Sequence, residues 1–229
     1  MPAFSKKKRT IISLGGSVIV PQSIDVSLLK KFHKLIVDRL DERQFFLVAG
    51  GGYTARHYQR GADDIVKLTH TDLDWLGIHA SRLNGHLLRT IFRAAAHEKV
   101  LHHPSVYESI SESVVVAAGE RPGGSTDTVA IRLAATYGVT EVINISNVDT
   151  LFDKDPNIHK NAKPIYNISW KELRKIVGEK WRPGLSTPFD PIASKLAQQH
   201  QMRVVLLGND LKQLANYLDG KAFTGTVVE

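Results

Sequence analysis

Three apolar segments of this chain each run directly into a cluster of glycines. A short, continuous apolar run predicts a buried strand, and glycine after it predicts a tight turn or a close backbone approach to a ligand. Bare backbone N–H groups at the start of a following helix suit an anion such as phosphate. The three pairs are Arg9–Leu14 with Gly15, Gly16 and Ser17; Phe45–Ala49 with Gly50, Gly51 and Gly52; and Val114–Ala118 with Gly119 and Gly123–Thr126.

A single glycine cluster is equally typical of a simple turn. In open α/β sheets, however, ligands gather at the carboxyl ends of the strands. Three clusters at one sheet edge therefore predict an anion-binding site there.

Helical patterns alternate with the strand-like segments, which predicts an α/β fold whose mostly parallel sheet is covered on both faces. Further strands are predicted at Lys99–His102, Glu141–Ser146 and Arg203–Leu207, with Gly225–Val228 as an edge strand. Helices are predicted over Val26–Leu40, Asp72–Ala96, Thr126–Thr136, Pro191–Gln199 and Asp210–Leu218, and from a Ser169 cap to Val177.

Composition narrows the functional classes. The 229-residue chain has no cysteine, which excludes disulfides, thiolate catalysis and cysteine-ligated zinc and predicts a cytoplasmic setting. No apolar run is long enough to span a bilayer, so no membrane partner is expected. The formal charge of +7 favours anionic partners, although it is also typical of a soluble surface. Only Lys6–Arg9 forms a basic run, so small phosphorylated ligands are expected and nucleic acid is not.

Two common phosphate-binding patterns are missing from the sequence. There is no G-x-x-x-x-G-K-[ST], which excludes a P-loop enzyme. No G-x-G-x-x-G follows the first predicted strand, which argues against a dinucleotide-binding fold.

Six segments occur in the order and spacing of the amino acid kinase family, and the set is most similar to the archaeal-type uridylate (UMP) kinases within it. The resemblance covers residues 10–229. The segments are SLGGSV, VAGGGYTARHY, DWLGIHASRLNGHLL, PGGSTDTVA, NVDTLFDKDP and FDPIASKLA.

The resemblance implies a three-layer αβα sandwich on a central, mostly parallel eight-stranded sheet, in a single domain over residues 1–229. The acceptor nucleotide would lie over about residues 1–140 and ATP over about residues 141–229. The implied reaction converts ATP and UMP to ADP and UDP by direct in-line transfer, in pyrimidine biosynthesis. Mg²⁺ would be held mainly by the ATP phosphates, with no protein metal ligands, and the chain would form a homohexamer.

The resemblance also implies the binding residues. The ATP-binding set is Gly16, Ser17, Gly52, Arg56, Ser146, Asn147, Phe152 and Asp155. The UMP-binding set is Gly51, Asp74, Glu120, Arg121, Pro122, Gly123, Gly124, Ser125 and Thr126.

Three residues are the candidate catalytic groups: Arg56, Asp127 and Lys195. Arg56 lies one helical turn beyond the second glycine cluster, where its forked donors suit phosphate oxygens. By resemblance, Asp127 orients a lysine, and Lys195 supplies an ammonium within the D-P-x-A-x-K pattern. Many relatives carry a second lysine where this chain has Ser13.

Several alternatives remain open at this level. Asp74 is expected to bind ribose hydroxyls, but it also suits a helix N-cap partner. The chain could instead be a sibling enzyme of the same family, such as an isopentenyl phosphate kinase or a carbamate-type kinase. Isopentenyl phosphate kinases use a histidine near this helix to hold the phosphate of their substrate. His57 lies on the helix but is interpreted as a surface or core residue. Ser13 keeps open a non-catalytic nucleotide-binding storage protein. An RNA-binding role is the remaining alternative.

Overall fold

The computed structural model describes residues 7–154, 159–182, 184 and 187–229. Their centre is an eight-stranded sheet in the order β3-β4-β2-β1-β5-β9-β10-β8, and a separate hairpin pairs β6 with β7. The strands are β1 (Lys8–Leu14), β2 (Arg43–Ala49), β3 (Ala96–Leu101), β4 (Val114–Ala117), β5 (Glu141–Ile145), β6 (Leu151–Phe152), β7 (Pro164–Ile165), β8 (Asn167–Ile168), β9 (Arg203–Leu207) and β10 (Thr226–Val228).

Helices cover both faces of this sheet. They are α1 (Gly16–Ile19), α2 (Val26–Val37), α3 (Gly52–Asp63), α4 (His70–Ile91), α5 (Thr126–Tyr137), α6 (Trp170–Val177), α7 (Pro191–Gln199) and α8 (Leu211–Leu218). One hydrophobic core joins the sheet to α5, α6 and α7, and a second joins its other face to α2, α4 and α8. The predicted three-layer α/β sandwich on an eight-stranded, mostly parallel sheet is thereby confirmed.

The inner strands β1, β2, β4, β5 and β9 are largely buried on both faces, as their continuous apolar sequences predict. In β1, Ile11 belongs to one core, whereas Ile12 and Leu14 belong to the other. This alternation follows from the two-residue side-chain period of a strand. It explains why apolar residues of β1 face both helix layers, with Ser13 as a buried polar residue near the end of the strand.

The register of β1 places the functional loops at one edge. Leu14, the last residue of β1, pairs with Ala49 at the end of β2 and with Ile145 at the end of β5. The parallel pairing of β2 with β4 brings the loop after β4 to the same edge. The loops that follow these four strands are therefore neighbours.

Several predicted boundaries differ from the structure by a few residues: α2 ends at Val37 rather than Leu40, and β3 spans Ala96–Leu101 rather than Lys99–His102. The last strand is not an edge strand, because β10 lies between β9 and β8 and is antiparallel to β9. The two-residue β8 that covers it is too short to show a sequence pattern. The long helix α4 ends at Ile91 rather than Ala96, because Ala96 begins β3. None of the helices in the described part of the chain is long and apolar enough to cross a membrane.

Backbone contact between the ends of β1 and β2 explains three of the glycines. A Cβ on Gly16 would lie 2.6 Å from the carbonyl carbon of Gly50 and 2.6 Å from the nitrogen of Gly51. A Cβ on Gly50 would lie 2.9 Å from the Cα of Gly16. Gly52 also has φ +63°, which favours glycine. Any side chain here would force the two strand ends apart.

The buried side-chain amide of Asn84, on α4, is hydrogen-bonded to this junction. Its Nδ2 donates to the carbonyl oxygens of Gly50 at 2.8 Å and Gly51 at 3.1 Å. On the other side, the Gly15 nitrogen donates to the carbonyl oxygen of Ile145 at 2.8 Å. These bonds satisfy buried peptide groups and fix the loops relative to β5 and α4.

We expect Gly16→Ala to lower the free energy of unfolding by about 3 kcal/mol, because the new methyl group overlaps backbone that cannot rotate away. Gly61→Ala is the matched control, since a Cβ at Gly61 on α3 meets nothing within 4 Å. This change should instead stabilise the protein by about 0.5–1 kcal/mol through helix propensity. Denaturant unfolding measures both, and equal effects of the two variants would contradict the packing argument.

Candidate nucleotide-binding cleft

A cleft of about 900 Å³ opens at the edge of the sheet where the glycine loops meet. Residues from both halves of the chain line it. Among the predicted site residues, those lining the cleft are Gly16, Ser17, Gly51, Gly52, Arg56, Asp74, Gly124, Ser125, Thr126, Ser146, Asn147 and Phe152. The fold thus brings together twelve residues that are spread over 137 positions, from 16 to 152.

Asp74 lies in the cleft and does not cap its helix. The N-terminus of α4 is capped by Thr69 and Asp72, which exchange hydrogen bonds as a capping box. The Asp74 carboxylate instead accepts a hydrogen bond from the Gly123 nitrogen at 2.8 Å. Of the two roles that the sequence left open for Asp74, the cap is excluded.

Two arginines hold the loop that follows β4. Arg82 on α4 donates to the carbonyl oxygens of Gly119 and Glu120, at 3.0 Å in both cases. The Glu120 carboxylate pairs with Arg132 on α5, so its charge is directed to that helix. Glu120, Arg121, Pro122 and Gly123 do not line the cleft, whereas the second half of the loop does.

Asp190 joins this loop to the second half of the chain. Its side chain caps α7 by accepting from the Ile192 nitrogen at 2.7 Å. Its other carboxylate oxygen accepts from the Ser125 nitrogen at 2.9 Å and from the Thr128 hydroxyl at 2.8 Å. The N-termini of α5 and α7 are therefore fixed by one buried carboxylate, and the positive end of the α5 dipole lies at the cleft.

Asp127 lies beside Asp190, and its carboxyl group is held among buried polar side chains. One oxygen accepts from the Ser13 hydroxyl at 3.1 Å and from the Asn144 amide at 2.6 Å. Burial, and after it the negative charge of the neighbouring Asp190, raise the pKa of Asp127 to about 7. Ser13, the neutral residue near the end of β1, thus donates a hydrogen bond to Asp127.

The wall opposite the acceptor loop is formed by the segment after β5 and by the β6–β7 hairpin. Ser146 and Asn147 follow β5 directly, and Phe152 ends β6. The apolar side chains of Val148 and Ile176 are exposed in this part of the cleft. The indole N–H of Trp181 is buried there without a hydrogen-bond partner among the described residues. Apolar surface beside an unpaired donor suits an aromatic base with acceptor atoms.

The predicted cations lie in different places. Arg56 lines the cleft and donates to the Ser17 hydroxyl at 3.1 Å, which links α3 to the first glycine loop. Lys195 is exposed on α7 and is not among the residues that line the cleft. Lys154, in the β6–β7 hairpin, does line it. Asp155 lies outside the described residues.

Comparison with known proteins agrees with this architecture. A model of the amino acid kinase family matches residues 8–208. The chain belongs to the amino acid kinase family. The uridylate kinase of Pyrococcus abyssi is 32% identical over 225 residues, which cover 96% of this chain and 99% of that protein. The uridylate kinase of Thermoplasma volcanium is 32% identical over 228 residues, or 96% of each chain.

Solved structures show the same fold. The crystal structure of uridylate kinase from Archaeoglobus fulgidus superposes with a TM-score of 0.82 at 30% identity, covering 97% of this chain and all of that one. UMP kinase from Ureaplasma parvum, at 20% identity and a TM-score of 0.77, supports the fold alone. The predicted resemblance to the archaeal uridylate kinases, and the prediction of a kinase, are confirmed.

Sequence reasoning missed four residues at the site of this member of the amino acid kinase family: Arg82, Asn84, Lys154 and Trp181. For Asn84 a signal existed, because a buried amide on the sheet-facing side of a long helix needs a polar partner. Arg82 binds the loop after β4, and the sequence does not show the path of that loop. Lys154 and Trp181 lie in irregular segments without periodicity, so the sequence carried no signal for them.

Asp127 should make stability fall as the pH rises. Because its pKa is raised from 3.8 to about 7, the folded protein keeps a proton that the unfolded chain has released between these values. The free energy of unfolding should therefore decrease from about pH 4 to pH 7, by an amount on the order of 4 kcal/mol from this group. Asp127→Asn should flatten the slope in denaturant titrations at several pH values.

Asp38→Asn is the control for this experiment, because Asp38 forms an exposed ion pair with Lys34 at 2.9 Å and is not buried as Asp127 is. Its pH profile should follow that of the wild type. An unchanged slope in Asp127→Asn would show that the Asp127 carboxyl group is already ionised in the folded state at low pH.

Proposed function

We propose that this protein is a UMP kinase that transfers the terminal phosphoryl group of ATP to the phosphate of UMP. The observation that carries the proposal is the junction of Gly16 with Gly50 and Gly51 inside one continuous cleft. Backbone N–H groups from two strand ends converge there between two walls of different chemistry. The names of the similar archaeal proteins support uridylate as the acceptor.

The chemistry requires placement and charge neutralisation more than proton transfer. The UMP phosphate is already anionic, so its oxygen attacks the terminal phosphorus without a general base while the bond to the ADP oxygen breaks. Negative charge is then shared among the attacking, transferring and leaving groups. Glycine N–H donors at Gly16, Gly51 and Gly52 stabilise that charge without having to reorganise.

Arg56 contributes a fixed positive charge to the same place. Its bond to the Ser17 hydroxyl directs the guanidinium across the glycine junction. A planar guanidinium can bind two phosphate oxygens at once, which aligns the transferring group as well as neutralising it. Ser17 is in turn placed to contact the ATP phosphates.

The acceptor nucleotide lies along α4 and the loop after β4 in this proposal. Asp74 accepts hydrogen bonds from the ribose hydroxyls, and Gly124, Ser125 and Thr126 surround the nucleotide at the start of α5. Glu120 to Gly123 shape the loop from outside, since they do not line the cleft. Asp127 acts through its neighbours, as does Ser13, with which it shares a hydrogen bond.

ATP lies along the opposite wall, with its base near Phe152 and its ribose near Ser146 and Asn147. Among the described residues, no three His, Cys, Asp or Glu side chains are grouped so that they could hold a metal ion. Mg²⁺ therefore fits best as an ion carried by the ATP phosphates, where it would neutralise their charge, with hydroxyl and amide oxygens of Ser17 and Asn147 as suitable outer partners. The cytoplasmic location, the homohexamer and the role of Lys195 stay predictions.

An acceptor screen with ATP and Mg²⁺ tests the function. We expect UMP to be converted to UDP, and isopentenyl phosphate to be left unchanged. His57 supports this expectation, because it is exposed, stacks on Tyr53 at 5.5 Å between ring centroids and does not line the cleft. Phosphorylation of isopentenyl phosphate but not UMP would overturn the proposal. ATP binding without turnover of any nucleotide would instead indicate a storage or binding protein.

Asp74→Ala should raise the KM for UMP about tenfold while changing the KM for ATP little, because a charged acceptor is lost and the Gly123 amide is released. Asp72→Ala is the matched control on the same helix. Asp72 caps α4 and does not line the cleft, so this change should lower stability and leave both KM values unchanged. Steady-state kinetics with each substrate varied separately give the answer.

A further inference from the structure

The cleft has few positively charged side chains, although two nucleotides would bring several negative charges into it. Of its described lining residues, only Arg56 and Lys154 are cationic, and Asp74 and Asp153 are acidic. The side chains alone therefore give a net charge near zero. Two nucleotides placed end to end bring several negative charges, so each cation should matter strongly.

The two cations come from different elements. Arg56 lies on α3 and is linked to Ser17 beside the glycine junction. Lys154 follows β6, in the second half of the chain. Each half of the chain thus contributes one cation to the cleft.

The backbone at Lys154 is held in place although its side chain is exposed. Its neighbour Asp153 donates from its nitrogen to the carbonyl oxygen of Lys163 at 3.1 Å and accepts from the Lys163 nitrogen at 2.8 Å. At the base of the hairpin, the Leu151 nitrogen donates to the buried hydroxyl of Thr226 at 2.9 Å. The hairpin is therefore tied to the central sheet through β10, and Lys154 projects from a fixed position.

We propose that the Lys154 ammonium binds the polyphosphate of the donor nucleotide and is the cation that the donor wall supplies for phosphoryl transfer. The inference rests on the proposed kinase function. A compact ammonium on a flexible four-carbon chain suits this task, because it can follow a phosphoryl group as it moves between two nucleotides.

Lys195 is the competing candidate, and the structure separates the two lysines. Lys195 is exposed on α7 outside the lining of the cleft, whereas Ser194 next to it is fully buried. The helix is fixed by Asp190 and its N-terminal proline, so it presents Lys195 in one direction. Of these two lysines, Lys154 is the one that lines the cleft.

The test compares Lys154→Ala, Lys154→Arg, Lys195→Ala and Lys163→Ala. Lys163→Ala is the matched control, because it removes an exposed lysine from the facing strand end of the same hairpin, outside the cleft, and keeps the backbone bonds to Asp153. We expect Lys154→Ala to lower kcat/KM for ATP about 100-fold, as for other lost contacts to a transferring group. The KM for UMP should stay within twofold, Lys154→Arg should recover most of the activity, and Lys163→Ala should behave like the wild type.

Binding measurements by calorimetry keep the inference independent of turnover. Lys154→Ala should weaken ATP much more than AMP, since AMP lacks the polyphosphate. If the wild type binds ATP but makes no UDP, the proposed function fails while this comparison still tests Lys154. Normal ATP affinity and kinetics in Lys154→Ala, a selective rise in the KM for UMP, or a loss confined to Lys195→Ala would each overturn the inference.

Discussion

The contact between backbone atoms at the ends of β1 and β2 is the constraint on which the rest of the site depends. Gly16 and Gly50 approach so closely that neither has room for a methyl group. This contact places two sets of peptide N–H groups at one point, and Asn84 holds the second set from α4. The glycines therefore have a packing role in the unliganded protein, and the same close approach produces the concentration of donors that a phosphoryl group needs.

The charged side chains of this site lie in two places: carboxyl groups are buried behind the cleft, and cations line the cleft. Behind the cleft, Asp127 and Asp190 are embedded among hydroxyl, amide and peptide donors, and no lysine or arginine is hydrogen-bonded to either carboxyl group among the described residues. In the cleft itself, Arg56 lies on α3 and Lys154 follows β6. At position 13, a neutral serine hydroxyl donates one hydrogen bond to Asp127.

The sequence predicted the features that depend on local patterns. The apolar strands, the Asp190 cap with Pro191, and the Ser169–Glu172 capping box all rest on neighbouring residues, and the structure has them. The sequence could not predict features that depend on tertiary geometry. Glu120 pairs with Arg132 and does not line the cleft, and Lys195 lies outside the lining of the cleft, because helix rotation and loop path set those positions. The two-residue β8 made a supposed edge strand internal.

Asp190 has a further consequence for how the molecule can move. A single carboxylate accepts from Ser125 and Thr128 near the start of α5 and from Ile192 at the start of α7. Any displacement of one helix start relative to the other would break at least one of these bonds inside the protein, where no water replaces it. The starts of α5 and α7 are therefore coupled, and a shift at the end of α5 that borders the cleft would carry the start of α7 with it.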